Sequence, residues 1–162
     1  MPTGTIILPV LGATMDETAP PGVAWSNNIP KLLFDSAAPE ICYWSFRMPA
    51  DYSSAPVIKC QYSMASAVAL GVIIGVEVMA VSDGDSQDLD AESYDTINDS
   101  TNLTVPGTAG YLDEISLALS NADSVAAGDH VRIKFRRDTG HVDDDAAGDM
   151  EVWAVSLEYT TA

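Results

Sequence analysis

The residues best suited to chemistry in this sequence are carboxylates that follow an apolar run. Residues 82–95 read SDGDSQDLDAESYD, and Asp83, Asp85, Asp88 and Asp90 are spaced closely enough to offer oxygen ligands to a calcium ion. The spacing differs from that of an EF-hand loop, which has Gly at its sixth position and Glu at its twelfth. We therefore interpret the segment as a solvated loop, and we keep weak calcium binding at these four aspartates as the alternative.

A second acidic stretch, residues 141–149 (HVDDDAAGD), combines a histidine with four carboxylates. Zinc sites usually need three or four ligands that converge on the ion. Consecutive side chains on a turn point in different directions, so we expect no metal at this stretch.

The sequence lacks the motifs of common catalytic centres. A nucleophilic triad needs a histidine base, and His130 and His141 are the two histidines of the chain. The sequence has no G-x-S-x-G elbow, no GxGxxG and no P-loop. Pairs of carboxylates that a glycosidase could use occur in any acidic sequence and carry no signal. We expect no catalytic residue and no cofactor.

The basic residues are concentrated in one place. Four of the seven Lys and Arg residues lie in residues 132–137, and strand alternation puts Arg132, Lys134 and Arg136 on one face. This basic stripe has two interpretations that stay open. Its members neutralise acidic residues of an adjacent strand, or they contact the acidic loops of a neighbouring subunit.

The three tryptophans divide into two groups. Trp44 and Trp153 fall on the apolar faces of predicted strands, so we expect both in the core. Trp25 falls in a long Pro- and Gly-bearing segment and is the tryptophan expected to be exposed, which makes it a second candidate for subunit or capsid contact.

These side chains must be positioned by strands, because apolar residues recur with a period of two. The pattern is clear in residues 130–137, where Val131, Ile133 and Phe135 alternate with basic residues. The predicted strands are residues 5–11, 31–35, 41–48, 57–64, 70–81, 103–105, 111–120, 130–137 and 151–160. The sequence predicts a single all-β domain, residues 1–162, folded as an antiparallel two-sheet sandwich of jelly-roll type. Residues 12–28 are predicted to be a long connecting loop or arm.

The two cysteines lie on the apolar faces of predicted strands. If residues 41–48 and 57–64 form a hairpin, Cys42 lies opposite Cys60. Cysteine is among the most buried residue types, so we expect free buried thiols. A cross-strand disulfide is the alternative.

Charge and hydropathy exclude several classes of partner. With 24 acidic against 7 basic residues, the formal net charge is −17, and such a chain repels nucleic acid and anionic membranes. The longest apolar run, residues 65–80, contains Glu77 and is shorter than a membrane span. The first residues carry no basic region of a secretory signal, so we expect a soluble protein made in the host cytoplasm.

Several sequence segments resemble parts of small virion structural proteins of tailed bacteriophages. They are WSFRMPADYSSAPVIKCQYSMASA, VMAVSDGDSQDLDAE, TVPGTAGYLDEISLALSNADSVAAGDHVRIKFRRD and GDMEVWAVSLEY, and the resemblance covers residues 41–160. It implies a β-sandwich displayed on the outside of a capsid, without catalytic residues, as a decoration or cement protein that binds the major capsid protein. The resemblance also implies a homotrimer, because cement proteins often occupy three-fold positions.

Two functions follow from these observations. The first is capsid decoration by a homo-oligomer, which is supported by residues 70–81 because this strand is apolar on both faces and needs a cover on each. The second is a receptor- or carbohydrate-binding module of a tail fibre, which needs exposed aromatic residues. Trp25, Tyr52 and Tyr94 are the candidates for that role, and their small number favours capsid decoration.

Overall fold

The structure is a computed structural model that describes residues 2–66 and 69–162, and nearly all of its regular structure is β-strand. In the described residues the only helix is a single 3₁₀ turn at Val10–Gly12. The strands are β1 (Thr3–Leu8), β2 (Thr14–Met15), β3 (Gly22–Ser26), β4 (Ile29–Phe34), β5 (Ile41–Arg47), β6 (Tyr52–Met64), β7 (Gly71–Val72), β8 (Ile74–Val81), β9 (Asn98–Asp99), β10 (Leu103–Thr104), β11 (Asp113–Ala118), β12 (His130–Arg137) and β13 (Met150–Thr161). The all-β prediction is confirmed.

Two antiparallel sheets form a sandwich of jelly-roll type. The larger sheet has the order β11-β6-β13-β4-β3, and β1 also pairs with β13. The smaller sheet has the order β2-β5-β12-β8-β9, while β7 and β10 form a separate short pair. Neighbouring strands in the sequence therefore often lie in different sheets.

Alternate residues of both sheets form one core between them. Phe135 of β12 lies in the middle, with its ring centroid 5.5 Å from that of Phe34 and 5.9 Å from that of Trp44, both in edge-on arrangements. Trp44 is buried as predicted, and its indole N–H donates to the carbonyl oxygen of Pro9 at 2.9 Å. This bond satisfies the one polar atom of the ring inside the core.

The hairpin considered between residues 41–48 and 57–64, which would have placed Cys42 opposite Cys60, does not form. The strands β5 and β6 belong to different sheets, because the turn after β5 carries the chain across the sandwich. Cys42 and Cys60 therefore enter the core from opposite sheets. Both are free and buried, which confirms the prediction of buried thiols, and burial raises the pKa of each thiol above its ordinary range.

The prediction of a long loop at residues 12–28 is wrong in part, because the segment contains two strands. The short β2 pairs with β5, and β3 forms a hairpin with β4. The hairpin turns at Asn27 and Asn28, whose φ angles are 51° and 62°. Asparagine tolerates this left-handed conformation, which two-residue hairpin turns require at both positions.

Residues 70–81 form two strands, β7 and β8, and the second of these is covered on both faces. Val76 and Val78 of β8 face the core. The loop that follows β8 returns along the edge of this strand, where the Asp95 N–H donates to the Val78 carbonyl at 2.8 Å. Its side chains extend over the outer face, where Ile97 lies against Gly75 and the centroid of the Tyr94 ring lies 5.4 Å from the Lys134 ammonium. The chain covers this face itself, so the strand needs no neighbouring subunit for that purpose.

No helix in the described residues is long and apolar enough to cross a membrane. Within the apolar run of residues 65–80, residues 67 and 68 lie outside the described part of the chain.

Candidate ligand-binding groove

The four aspartates proposed as calcium ligands lie in the exposed loop after β8. Asp85 accepts a hydrogen bond from the Ser82 N–H at 3.0 Å, and Asp88 accepts one from the Asp90 N–H at 3.0 Å. These are local turn contacts, in which each carboxylate bonds to its own stretch of backbone. Asp83, Asp85, Asp88 and Asp90 therefore do not converge, and the described residues contain no group of three or more potential metal ligands.

The second acidic stretch has a structural role centred on Arg137. This side chain is buried, and its Nη2 donates to Asp144 at 2.7 Å while its Nη1 donates to the Gly148 carbonyl at 2.7 Å. Asp144 also accepts from the Ile73 N–H at 3.0 Å, and Asp145 accepts from the Gly71 N–H at 2.7 Å. The carboxylates thus tie their loop to the backbone around β7. The burial of Arg137 and its pairing with Asp144 were not predicted from the sequence.

The basic stripe lies on the outer face of β12 and is engaged within the chain. Lys134 and Arg136 approach Glu77 of the adjacent β8 at 3.0 and 3.3 Å. The Arg132 guanidinium stacks over the ring of Tyr43 at 4.4 Å from its centroid. The interpretation of cross-strand neutralisation accounts for two members of the stripe, and stacking accounts for the third. A subunit contact through the stripe stays a prediction.

A concave surface lies on the opposite, larger sheet. A groove of about 560 Å³ opens on its outer face, where the partner of β13 changes from β4 to β1. At this point β13 carries a β-bulge against β6, so that Val152 pairs with Tyr62 and Ala154 with Gln61. Trp153 is the extra residue of the bulge.

The bulge turns Trp153 outward. One additional residue reverses the alternation of a strand, so Val152 and Val155 both face the core and Trp153 lines the groove. The prediction that Trp153 belongs to the core is therefore wrong. The period-two pattern was read correctly from residue 155 onward and failed at the bulge, which leaves no mark in the sequence of β13.

The groove has two unlike walls. Ile7, Leu11 and Ile29 form an aliphatic wall beside β13, and these side chains are 67%, 60% and 50% exposed. Across the floor of β13, the opposite wall is polar, where Glu114 lies 3.5 Å from the Lys59 ammonium and accepts from the Gln61 amide at 3.3 Å. A ligand in the groove would meet hydrocarbon on one side and hydrogen-bonding groups on the other.

The Trp153 ring is held in place by buried polar neighbours. Its indole N–H donates to Ser63 Oγ at 2.9 Å, and Ser63 donates to Glu151 at 2.9 Å. The Lys31 ammonium lies 2.5 Å from Glu151 and 4.9 Å from the centroid of the Trp153 ring. Ser63 and Lys31 are both buried. The ring therefore has a fixed orientation before any ligand arrives, which lowers the entropy cost of binding.

Three other aromatic residues were considered from the sequence as exposed. Trp25 is 60% exposed as predicted, on β3 opposite Pro30, but it does not line the groove. Tyr52 packs on Tyr159 at 5.6 Å and Tyr94 on Tyr43 at 6.2 Å between ring centroids. Sequence analysis did not identify the residues of the aliphatic wall. Ile7 and Leu11 lie in a predicted apolar strand, and nothing in that pattern indicates that they are exposed.

No protein-family model matches the chain, and no curated protein matches it. Several solved structures are similar in fold. A xylan-binding module, CBM15, superposes with a TM-score of 0.51 at 10% identity over 99% of this chain and 99% of that chain. A family 35 carbohydrate binding module from Clostridium thermocellum gives a TM-score of 0.48 at 11% identity over 95% of this chain and 97% of that one.

A third similar structure is the glycosylation associate protein (Gap123) complex from Streptococcus agalactiae, with a TM-score of 0.50 and 12% identity. The alignment covers 98% of this chain but only 26% of that chain, so this chain spans about a quarter of its length. At such identities the similarity shows a common β-sandwich fold.

Proposed function

We propose that this chain is a non-catalytic carbohydrate-binding β-sandwich module whose groove on the larger sheet binds a neutral polysaccharide. The observation that carries the proposal is Trp153, which a β-bulge turns out of the core and into a groove with one aliphatic and one polar wall. Ligand sites are typically concave, lined mainly by apolar and aromatic groups, and oriented by a few polar ones.

A sugar ring matches these two walls because it carries both kinds of surface. Its C–H groups form apolar faces that pack against aromatic and aliphatic side chains, while its hydroxyls donate and accept hydrogen bonds. The register of the sheet brings Ile7, Ser156 and Lys59 into one row across three strands. A sugar chain that lies across these strands would therefore contact the aliphatic wall at Ile7, then β13 at Ser156, and then the polar wall at Lys59.

Charge supports a neutral ligand. The ionisable groups that line the groove are Lys59, Glu114 and Glu158, which is one ammonium against two carboxylates. The chain as a whole carries a formal charge of −17. A polysaccharide rich in uronic acids would be repelled by this field, whereas an uncharged one would not.

The fold supports the proposal at a coarser level. The xylan-binding module shares this sandwich over nearly its whole length, so a fold of this kind and size can carry a polysaccharide site. Fold alone does not determine function, and the proposal rests on the groove.

The test is binding to a panel of soluble polysaccharides by affinity electrophoresis, followed by calorimetry with oligosaccharides. Xylan, mannan and β-glucan represent neutral ligands, and polygalacturonate represents an anionic one. We expect at least one neutral ligand to bind and Trp153→Ala to weaken it by about tenfold or more, since about 1.4 kcal/mol corresponds to a factor of ten.

A matched pair of leucines controls for non-specific effects. Leu11 lines the groove, whereas Leu89 lies in the loop over the other sheet and is exposed to a similar degree. Leu11→Ala should weaken binding and Leu89→Ala should not. Binding of polygalacturonate alone, or equal losses in the two leucine variants, would show that this groove is not a neutral-glycan site.

Capsid decoration remains a second proposal, supported by the phrases of residues 41–160 that resemble phage virion proteins. In this reading the protein is a partner of the major capsid protein on the exterior of the virion, and a glycan-binding groove would face outward from the particle. Its test is the copy number of this protein relative to the major capsid protein in purified particles. A protein that fails to co-sediment with capsids at high concentration has no such role.

A further inference from the structure

The strand β3 (Gly22–Ser26) lies at an edge of the larger sheet. It pairs with β4 on one side, and no strand in the described residues pairs with its other side. Edge strands offer unpaired backbone groups to other chains, and proteins usually protect them with charges, prolines, bulges or very short strands. The sequence GVAWS has no charge and no proline, and it pairs with β4 residue for residue without a bulge. This edge has none of the usual protection.

Three other edge strands of the sandwich, β11, β2 and β9, are protected. The opposite edge of the larger sheet is β11, which begins with Asp113 and Glu114. The outer strands of the smaller sheet, β2 and β9, have two residues each. The strand β1, on the same side as β3, is uncharged as well. Protection is therefore absent on one side of the molecule.

The hairpin of β3 and β4 itself carries no acidic residue. Residues 18–34, which include all of β3 and β4, contain no Asp or Glu, although 24 acidic residues are present in the chain. Two copies that meet at this edge would avoid close contacts between carboxylates. The remaining long-range repulsion is screened by salt, with a Debye length of about 10 Å at 0.1 M.

The hairpin turn determines which backbone groups of β3 are free. Because Asn27 and Asn28 form a two-residue turn, Ser26 and Ile29 are its closing hydrogen-bonded pair, and the bonds toward β4 then recur at every second residue. The N–H and C=O groups of Val23 and Trp25 consequently point to the open side. The Val23 and Trp25 side chains are also exposed.

We propose that two copies of this chain pair antiparallel through β3 around a two-fold axis, with each Ala24 facing its counterpart. In this register Trp25 lies opposite Val23 of the second copy, and the two residues exchange both backbone hydrogen bonds. The two-fold axis repeats this pair, so four backbone bonds and two aromatic–aliphatic side-chain pairs form. The interface is self-complementary, and it yields a dimer where the sequence had implied a trimer.

The register can be tested by single cysteine substitutions. Ala24 would face Ala24 of the second copy in a non-hydrogen-bonded pair, with a Cα–Cα distance of about 4.5 Å, which is within the range of disulfides. Two copies of Ser26 would lie four residues apart along the paired strands, or about 13 Å. The native Cys42 and Cys60 are buried and do not compete. Ala24→Cys should give a disulfide-linked dimer on mild oxidation, and Ser26→Cys should stay monomeric on a non-reducing gel.

A second measurement addresses the unmodified edge. Sedimentation equilibrium of the wild type should show a monomer–dimer equilibrium that shifts toward dimer as salt is added. Val23→Lys places a charge on the edge and should give a monomer, whereas Val142→Lys adds the same charge on a different exposed loop and should behave as the wild type. A wild type that is monomeric or trimeric at every concentration, or equal cross-linking of the two cysteine variants, overturns the proposal.

Discussion

At the scale of single residues, the best-defined feature is the buried ion pair behind Trp153. Lys31 and Glu151 are mostly shielded from solvent, with side-chain exposures of 10% and 15%. A pair of this kind contributes little net stability compared with apolar residues, but removal of one member leaves the other charge buried and uncompensated. Its evident role is to orient Ser63 and the Trp153 ring.

This arrangement predicts unequal effects for two identical substitutions on one sheet. Glu151→Gln should lower the free energy of unfolding by about 3 kcal/mol, because it leaves the buried Lys31 ammonium without a negatively charged partner. Glu114→Gln should lower it by at most about 1 kcal/mol, because the Lys59–Glu114 pair is more exposed. Urea unfolding of both variants measures the difference, and equal losses would mean that the Lys31–Glu151 pair is not shielded in solution.

At the scale of elements, the segment between β1 and β5 depends on one carboxylate. Asp16 accepts from the backbone N–H groups of Thr18 and Ala19 at 2.9 and 3.0 Å, and from the Tyr43 hydroxyl at 2.9 Å. The two backbone bonds, followed by the bond from Tyr43, hold the pKa of Asp16 well below its ordinary value of 3.8. Burial, followed by the hydrogen bond to Asp16, raises the pKa of Tyr43 to about 12.

The lowered pKa predicts how this contribution depends on pH. A carboxyl group whose pKa is lower in the folded state stabilises the protein above the pKa of the unfolded chain, and this contribution is lost as pH falls toward the folded pKa. The stability of the wild type should therefore exceed that of Asp16→Asn at pH 7, and the difference should shrink below about pH 4. Thermal unfolding at several pH values measures it. Glu17→Gln, at the exposed neighbouring position, controls for the loss of one negative charge.

The elements that the sequence predicted well are the long ones with regular alternation. Residues 130–137 were predicted as a strand with the bounds that β12 has, and residues 41–48 differ from β5 by one residue. Alternation is a local property, so it survives in any sheet. The β2 and β3 strands were missed because they are short and lie among prolines and glycines, where tertiary pairing and not local pattern decides the conformation.

The groove was harder to predict for a related reason. The Trp153 ring lies in the groove because β13 has a bulge at this residue. The bulge lies where the neighbour of β13 changes from β4 to β1. That change of neighbour is a property of the sheet topology, which strand patterns do not contain. Trp153 was accordingly assigned to the core, and Trp25 was the one aromatic whose exposure the sequence indicated correctly.

At the scale of the whole molecule, contacts within the chain account for the two features that suggested a subunit interface, the apolar strand of residues 70–81 and the basic stripe. The outer face of β8 is covered by the loop that follows it. The basic stripe is bound to Glu77 and Tyr43 of the same chain. The unprotected surface is instead the side that carries β1, β3 and the aliphatic wall of the groove, which connects the proposed interface to the proposed binding site.

That connection gives a prediction about avidity, which rests on both proposals. A two-fold axis at Ala24 runs perpendicular to the sheet, so the outer faces of both copies, and both grooves, would open on one side. A long polysaccharide could then occupy two grooves at once, and its second contact would form at a high effective concentration.

Val23→Lys should leave the affinity for a short oligosaccharide unchanged and weaken retention on the immobilised polymer by about tenfold or more. Calorimetry and a polymer pull-down measure the two quantities, with Val142→Lys as the control. If Val23→Lys weakens both equally, the edge acts on the groove itself; if it weakens neither, the two grooves do not cooperate.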